Sequence, residues 1–351
     1  RFIDVITGSI MEMIETKELR LINLNGATND DITYMGTAFN SLSNTVGNLV
    51  NIFQKFANQD VVNKAYQERE VKLEGTRREL TILFTDIKSF TFITETLGND
   101  IIKLLNMHYD RAIREIIRYD GVIGSIIGDA LLAVYGALDD STDNKSYQAV
   151  LSGYKLQEVA ELLRLRMDKI KTELEEEKGK LNKEELKIYK AVLLEIGVGI
   201  DGGSVFYGTL GSYVRMTNTV IGDNVNAASR LEGLTRIYKV PIICSEYIKD
   251  DIESNVKNHG LYFLELDRVM VKGKTTTQKV YWPIMESEMD EKLKKNIAVF
   301  ELALELYYSG KWVESRKQLS KCTLRLADIF KERTQEKCPS NWNGVWQMTT
   351  K

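Results

Sequence analysis

The apolar positions divide the chain into three regimes. At the start, Ile3, Ile6, Ile10 and Met13 step by three and four, and Met35, Phe39, Leu42, Val46, Leu49, Phe53 and Phe56 repeat that step over a longer run. Both are heptad seams, which predict two helices whose stripes pair with each other and with a second chain. The polar stretch Leu21 to Asp31 between them reads as an extended connector. Residues 57–78 are polar and helical in composition, a stalk that breaks near Gly75.

From residue 79 the period shortens to two. Leu80, Ile82 and Phe84 alternate with polar or exposed-type neighbours, which predicts a strand ending at Asp86. Val122 to Ile127 and Ala130 to Tyr135 are apolar runs separated by Gly128-Asp129, a hairpin with an acidic tip. Between them, Phe90 to Leu97 reads as a short helix closed by Gly98, and Asn99 or Asp100 caps a second, Ile101 to Tyr119. Its sheet-facing side carries Ile101, Leu104, Leu105, His108, Ile113, Ile116 and Ile117. A helix from about Ser146 leads into residues 157–190, where charge dominates and Gly179 breaks a stripe of Val159, Leu163, Ile170 and Leu174: a protruding helical hairpin.

Glu195 to Asp201 and Ser204 to Leu210 read as another hairpin about Gly202-Gly203. A helix then opens near Asn224, with Val225, Ala228 and Leu231 as its apolar stripe. Pro241 to Cys244 predicts an edge strand, Ser245 a helix cap, and Leu261 to Val271 with Val280 to Trp282 the close of the sheet. After Pro283 the period is helical again. Ile297, Phe300, Leu304 and Tyr307 share one helix ended by Gly310, and Trp312 to Phe330 make a second. Such a pair cannot bury its face alone and must dock, with Trp342 and Trp346 anchoring the tail.

Composition narrows the function. The 351 residues allow roughly two or three domains. With 47 basic against 50 acidic side chains there is no field for nucleic acid. Cys244, Cys322 and Cys338 are spaced for neither a disulfide framework nor a zinc site, which points to a reducing compartment. His108 and His259 alone argue against imidazole chemistry. No run approaches the about 18 apolar residues of a membrane span, and the start at Arg1 without a targeting signal reads as a fragment of something longer.

The chemistry-bearing residues sit at element ends. A carboxylate at a strand end belongs at the sheet rim, because burying it unpaired is too costly. Asp86 or Asp129 alone is compatible with a turn-forming aspartate; together, beside one another, they suit a hard divalent cation. Asn226 and Arg230 are four apart and project from one helix side, ready for an oxygen-rich anion or for a surface hydrogen bond. Val271-Lys272-Gly273-Lys274 is a basic turn, which matters if it lies near a phosphate.

Two resemblances organise these positions. Residues 1–56 resemble a HAMP linker, with Asn29-Asp30-Asp31-Ile32 at the connector's acidic end and Ala38-Phe39-Asn40 in its second helix; residues 57–78 would be the transducer helix. Residues 79–283 resemble the class III nucleotidyl cyclase catalytic domain of HAMP-linked bacterial sensors, and residues 284–351 form a helical extension. Three motifs in family order carry the match: Phe84-Thr-Asp-Ile-Lys-Ser-Phe-Thr91, Ile127-Gly-Asp129 with Ala133-Val-Tyr-Gly136, and Ile221-Gly-Asp-Asn-Val-Asn-Ala-Ala-Ser-Arg230. The resemblance implies an α+β fold, a ferredoxin-like mixed sheet with helices.

The resemblance also implies site roles. Asp86, Asp129 and the Ile87 carbonyl would hold two Mg²⁺ or Mn²⁺ ions. Asn226 would position the ribose and Arg230 stabilise charge on the α-phosphate, while Lys272, Arg215, Phe90 and Thr91 would take the rest of the nucleotide triphosphate. Because metal ligands and the Asn/Arg helix come from different partners in this family, a head-to-tail homodimer is implied. At the base-reading positions Ser125 replaces the usual adenylyl-type lysine, and Thr219 stands where adenylyl members carry Asp or Thr. ATP is favoured over GTP, with a guanylate cyclase or a weakly catalytic nucleotide-binding module as alternatives. The Gly-Gly-Asp/Glu-Glu-Phe signature of diguanylate cyclases is missing. The implied parent protein carries a membrane-side sensor ahead of residue 1 and works at the cytoplasmic face of the inner membrane.

Overall fold

The computed structural model describes residues 2–16, 18–28, 30–56, 74–138, 143–212, 214–270 and 277–347. They form two compact units, residues 1–75 with 208–218 and residues 76–207 with 219–351.

In the first unit, helices α1 (Phe2–Thr16) and α2 (Asp31–Phe56) are the predicted seams. Ile6, Met13 and the connector residue Ile22 make a small core, backed by Ile10, Leu24, Ile32 and Phe39. Asn40 holds the connector: its amide oxygen accepts from Ile22 N at 2.7 Å and its nitrogen donates to Ile22 O at 2.9 Å. One side chain thus satisfies both backbone groups of an extended residue, as a neighbouring strand would. The seams turn inward only in part. Ile3, Met35, Leu42, Leu49 and Phe53 stay exposed, because the buried side of α2 runs through Gly36 and Ser43 instead. The Phe56 side chain lies outside the described residues, as do Asn29 and residues 57–73 of the expected stalk; Gly75 to Arg78 are strand, not helix.

The second unit is built on a mixed sheet that among the described residues has nine strands, in the order β2-β3-β1-β4-β6-β8-β7-β9 with β5 beside β4. Its strands are β1 (Gly75–Ile87), β2 (Gly121–Ile127), β3 (Ala130–Tyr135), β4 (Ile196–Ser212), β5 (Arg215–Ile221), β6 (Ile242–Ser245), β7 (Leu261–Met270), β8 (Gln278–Met285) and β9 (Trp346–Gln347). Alternation sends successive residues of β1 to different cores. Leu83 and Ile87 join the helices α3 (Phe90–Leu97), α4 (Ile101–Arg118), α5 (Lys145–Lys178) and α8 (Glu246–Asn255), whereas Leu80 and Ile82 face Ala228 of α7 (Asp223–Tyr238).

Several expectations are corrected. β4 runs unbroken through Gly202-Gly203, where a hairpin was expected. A Cβ on Gly202 would lie 2.4 Å from Tyr247 Cε1, so the glycine serves a close approach and not a turn. β6 is not an edge strand: it pairs with β4 and β8, and Pro241 stands just before it, where its missing N–H costs nothing. Asp100 precedes α4 but pairs with Lys103 without capping, Ser245 makes no side-chain cap bond, and Ile117 is exposed. The arm, by contrast, is the expected helical hairpin. It is the outer half of α5 folded back, after Gly179, into α6 (Lys183–Val192), with the Tyr189 hydroxyl on Asp168.

The C-terminal region docks as expected but in shorter pieces: α9 (Glu291–Tyr308), α10 (Trp312–Leu319) and α11 (Ala327–Arg333). The break after Leu319 is held by Asn296, which accepts from Thr323 N at 2.7 Å. Phe300, Tyr307, Trp312 and Phe330 share a core with Leu264 and Leu266 of β7. Within it Arg333, 3% exposed, donates to fully buried Asp267 at 2.6 Å, and Tyr238 donates to the same carboxylate oxygen at 2.7 Å. Removing one partner of a buried ion pair strands the other. Arg333→Met is expected to lower unfolding free energy by about 3 kcal/mol, read from urea denaturation; a loss within error would mean that Asp267 takes up a proton at no cost.

Candidate active site

The site grows from the end of β1. β3 pairs antiparallel with β1, Thr85 opposite Leu131, so the Gly128-Asp129 tip of the β2–β3 hairpin arrives beside Asp86 and Ile87. Asp129 Oδ2 accepts from Ile87 N at 3.2 Å, and the two carboxyl groups face each other within hydrogen-bonding reach. The Tyr109 hydroxyl donates to Gly128 O at 2.7 Å and fixes the tip from α4. Burial, and then the neighbouring Asp86, push the Asp129 carboxyl up to about 7. Burial and the same two carboxylates push Tyr109 up to about 12.

A second element reaches this rim. α7 lies directly on β4: a Cβ at Gly199 would stand 2.1 Å from Ala228 O, and one at Gly197 would stand 2.3 Å from Glu232 Oε1. That approach carries Arg236 to the carboxylates, where Nη2 donates to Asp86 Oδ2 at 3.0 Å and Nη1 to the two oxygens of Glu232 at 2.9 and 3.0 Å. Burial raises Glu232 to about 7, with Arg236 opposing. Burial disfavours the charge on Arg236, and Glu232 and Asp86 more than offset it. Sequence reasoning missed both residues, since a Glu and an Arg four apart read as an ordinary helix-surface pair.

The other expected site residues are distributed as follows. Asn226 and Arg230 are exposed on α7, and neither makes a side-chain hydrogen bond or ion pair among the described residues. At about 100° per residue, their side of the helix lies roughly a quarter to a third of a turn from that of Arg236. Phe90 and Thr91 open α3, three and four residues beyond Ile87. Ser125 is half-buried on β2, where the register with β3 slips between Ile123 and Ser125. Thr219 is half-buried in β5. Arg215 begins β5, its side chain outside the described residues, and Lys272 lies outside them altogether.

Among the described residues no three His, Cys, Asp or Glu side chains form a metal cage. The donor set here is nonetheless all oxygen: the carboxylates of Asp86 and Asp129 and the backbone carbonyl of Ile87. Hard cations such as Mg²⁺ bind oxygen donors of this kind, and a cation would offset both the burial and the neighbouring Asp86 charge that raise Asp129.

A mixed sheet whose strand end and hairpin tip bring two aspartates together is the catalytic fold of the class III nucleotidyl cyclases. Residues 74–285 match the adenylate and guanylate cyclase catalytic domain, and the chain belongs to that family. It is 29% identical over 264 residues to an adenylate cyclase of Anabaena cylindrica, covering 72% of this chain and 48% of that one. It is 26% identical over 250 residues to a terminal-differentiation-specific adenylate cyclase of Dictyostelium discoideum, covering 70% and 11%. The chain thus spans about half or less of these curated relatives. Among solved structures, a bacterial light-regulated adenylyl cyclase shares the fold with TM-score 0.56 and 22% identity, over 78% of this chain and 72% of that one.

The raised Asp129 carboxyl has a consequence for stability. It binds its proton more tightly folded than unfolded, so its ionisation costs folding free energy: nothing below the ordinary value of 3.8, increasingly as pH rises, and fully above about 7. Metal-free Asp129→Asn is therefore expected to be more stable than the wild type at pH 8 by about 1 kcal/mol, after allowing for partial exposure. The gain should vanish toward pH 4. Urea midpoints measured across pH in a chelator check this, and a pH-independent gain contradicts it.

Proposed function

We propose that this chain is the catalytic part of a homodimeric adenylate cyclase, converting ATP to 3′,5′-cyclic AMP and pyrophosphate at sites built from two copies. The observation that carries the reading is the division of α7. Arg236, braced by buried Glu232, reaches Asp86 of its own chain, while Asn226 and Arg230 stand exposed on another side. A helix that serves its own rim with one side has the other free for the rim of a second copy.

In this reading Asp86, Asp129 and the Ile87 carbonyl hold the divalent ions. Bound there, such ions lower the pKa of the ribose 3′-hydroxyl and neutralise the departing pyrophosphate. The 3′-oxygen bonds to the α-phosphorus as the bond to the bridging oxygen breaks, and the hydroxyl proton passes to solvent. Asn226 of the second copy orients the ribose, and its Arg230 meets the charge developing on the α-phosphate. Phe90 and Thr91 stand in the first turn of α3, and a helix start of this kind suits the terminal phosphates. Arg215 and Lys272 supply further positive charge. Ser125 and Thr219 face the base; their hydroxyls can donate or accept, and the adenylate cyclases among the relatives favour ATP.

The first unit acts as a HAMP-type relay. Its exposed Met35, Leu42 and Leu49 recur every seven residues and suit a parallel bundle with a second copy. Among the described residues no helix is long and apolar enough to cross a membrane; the sensor, membrane anchor and cytoplasmic placement are proposed for the parent protein.

Offered ATP and GTP separately with Mn²⁺, the protein should release cyclic AMP and little cyclic GMP; the reverse preference overturns the base assignment. Asp129→Ala and Arg230→Ala should each lose at least about a hundredfold in kcat while staying folded by circular dichroism. Mixed in equal amounts, the two inactive variants should recover about a quarter of wild-type activity, because half of the dimers then hold one intact site. No recovery on mixing refutes the shared site.

A further inference from the structure

Arg236 is shared between two carboxylates of unequal burial. Glu232, 3% exposed, is held under α7 where the helix meets Gly197 and Gly199. Asp86 stands on the rim with its side chain 28% exposed, and the guanidinium between them is 37% exposed. The bond to Glu232 uses Nη1 and both carboxylate oxygens; the bond to Asp86 uses Nη2 and one oxygen. We propose that Arg236 is the internal counter-ion of Asp86 and the intramolecular competitor of divalent metal there, holding the carboxylate while no cation is bound and withdrawing onto Glu232 when one binds.

The inference rests on reading Asp86 and Asp129 as metal ligands. A guanidinium on a ligand oxygen occupies a lone-pair direction that a metal needs, and it sets a positive charge against the incoming dication. It also solves a problem of the empty rim: Asp86 and Asp129 face each other, and Arg236 is the basic side chain that the described residues pair with Asp86. The exchange strands no charge. Glu232 is too buried to stand without a partner, and its two-oxygen bond to Arg236 survives the release of Asp86. Metal then loads poorly onto the nucleotide-free site and well once phosphates add negative charge, so Arg236 couples metal entry to substrate.

Mn²⁺ titration of the full chain without nucleotide, followed by the electron paramagnetic resonance signal of free Mn²⁺, tests this without reading turnover. Arg236→Gln is expected to bind Mn²⁺ about tenfold more tightly than wild type. Arg236→Lys keeps the charge but lacks the planar fork that spans both carboxylates, and should tighten binding roughly threefold; it carries the test if the glutamine variant does not fold. Unchanged or weaker binding in a folded Arg236→Gln protein, or in Arg236→Lys should that alone fold, overturns the proposal. Mn²⁺ binding that is absent throughout, or indifferent to Asp129→Asn in wild type, overturns the underlying metal assignment as well.

Discussion

The contact on which the site depends is a helix lying on a strand with almost nothing between them. At Gly197 and Gly199 the backbone of α7 approaches β4 so closely that any side chain on the strand would collide with Ala228 O or Glu232. This sets the depth of α7. Depth in turn decides that Glu232 is buried, that Arg236 reaches β1, and that Asn226 and Arg230 are left outside. An alanine at Gly199 would lift the helix, and every one of those placements would change together.

The rim that α7 meets is an electrostatic construction assembled from distant parts of the chain. β1 brings Asp86, the hairpin brings Asp129, α4 brings the tyrosine that fixes the hairpin tip, and α7 brings the cation. Each charge is only partly desolvated, which keeps it responsive: a fully buried carboxylate would be neutral, and a fully solvated one would hold a metal weakly. The far end of the same helix is governed differently. Tyr238 closes α7 against Asp267 and Arg333, so the C-terminal extension fastens the helix at the end remote from Asn226.

Much of this was legible in the residues. Period-two alternation located β1, two apolar runs about Gly128-Asp129 located the hairpin and its tip, and helical spacing located α4, α7 and α9, because those signals are local and each element has one plain use for them. Glycine was the weak point. Gly202-Gly203 looks like a turn, yet serves Tyr247's approach to a continuous strand, and nothing local distinguishes a bend from a close contact. Arg236 was hidden for a similar reason, since its value comes from a carboxylate 150 residues away in the chain. One clue existed. Glu232 falls at helical spacing between Ala228 and Thr235, on the buried stripe, where a glutamate needs a partner.

The long helix α5 has a mechanical consequence. Its 34 residues span about 50 Å. The inner half is clamped: Ser146 donates to Asp251, and the Tyr135 hydroxyl of β3 donates to Ser152. The outer half, braced by α6, stands clear of the core. That is a cantilever with its fixed end bolted to the strand that follows Asp129. The Tyr135–Ser152 bond thus ties the inner half of α5 to the strand that leads back to Asp129.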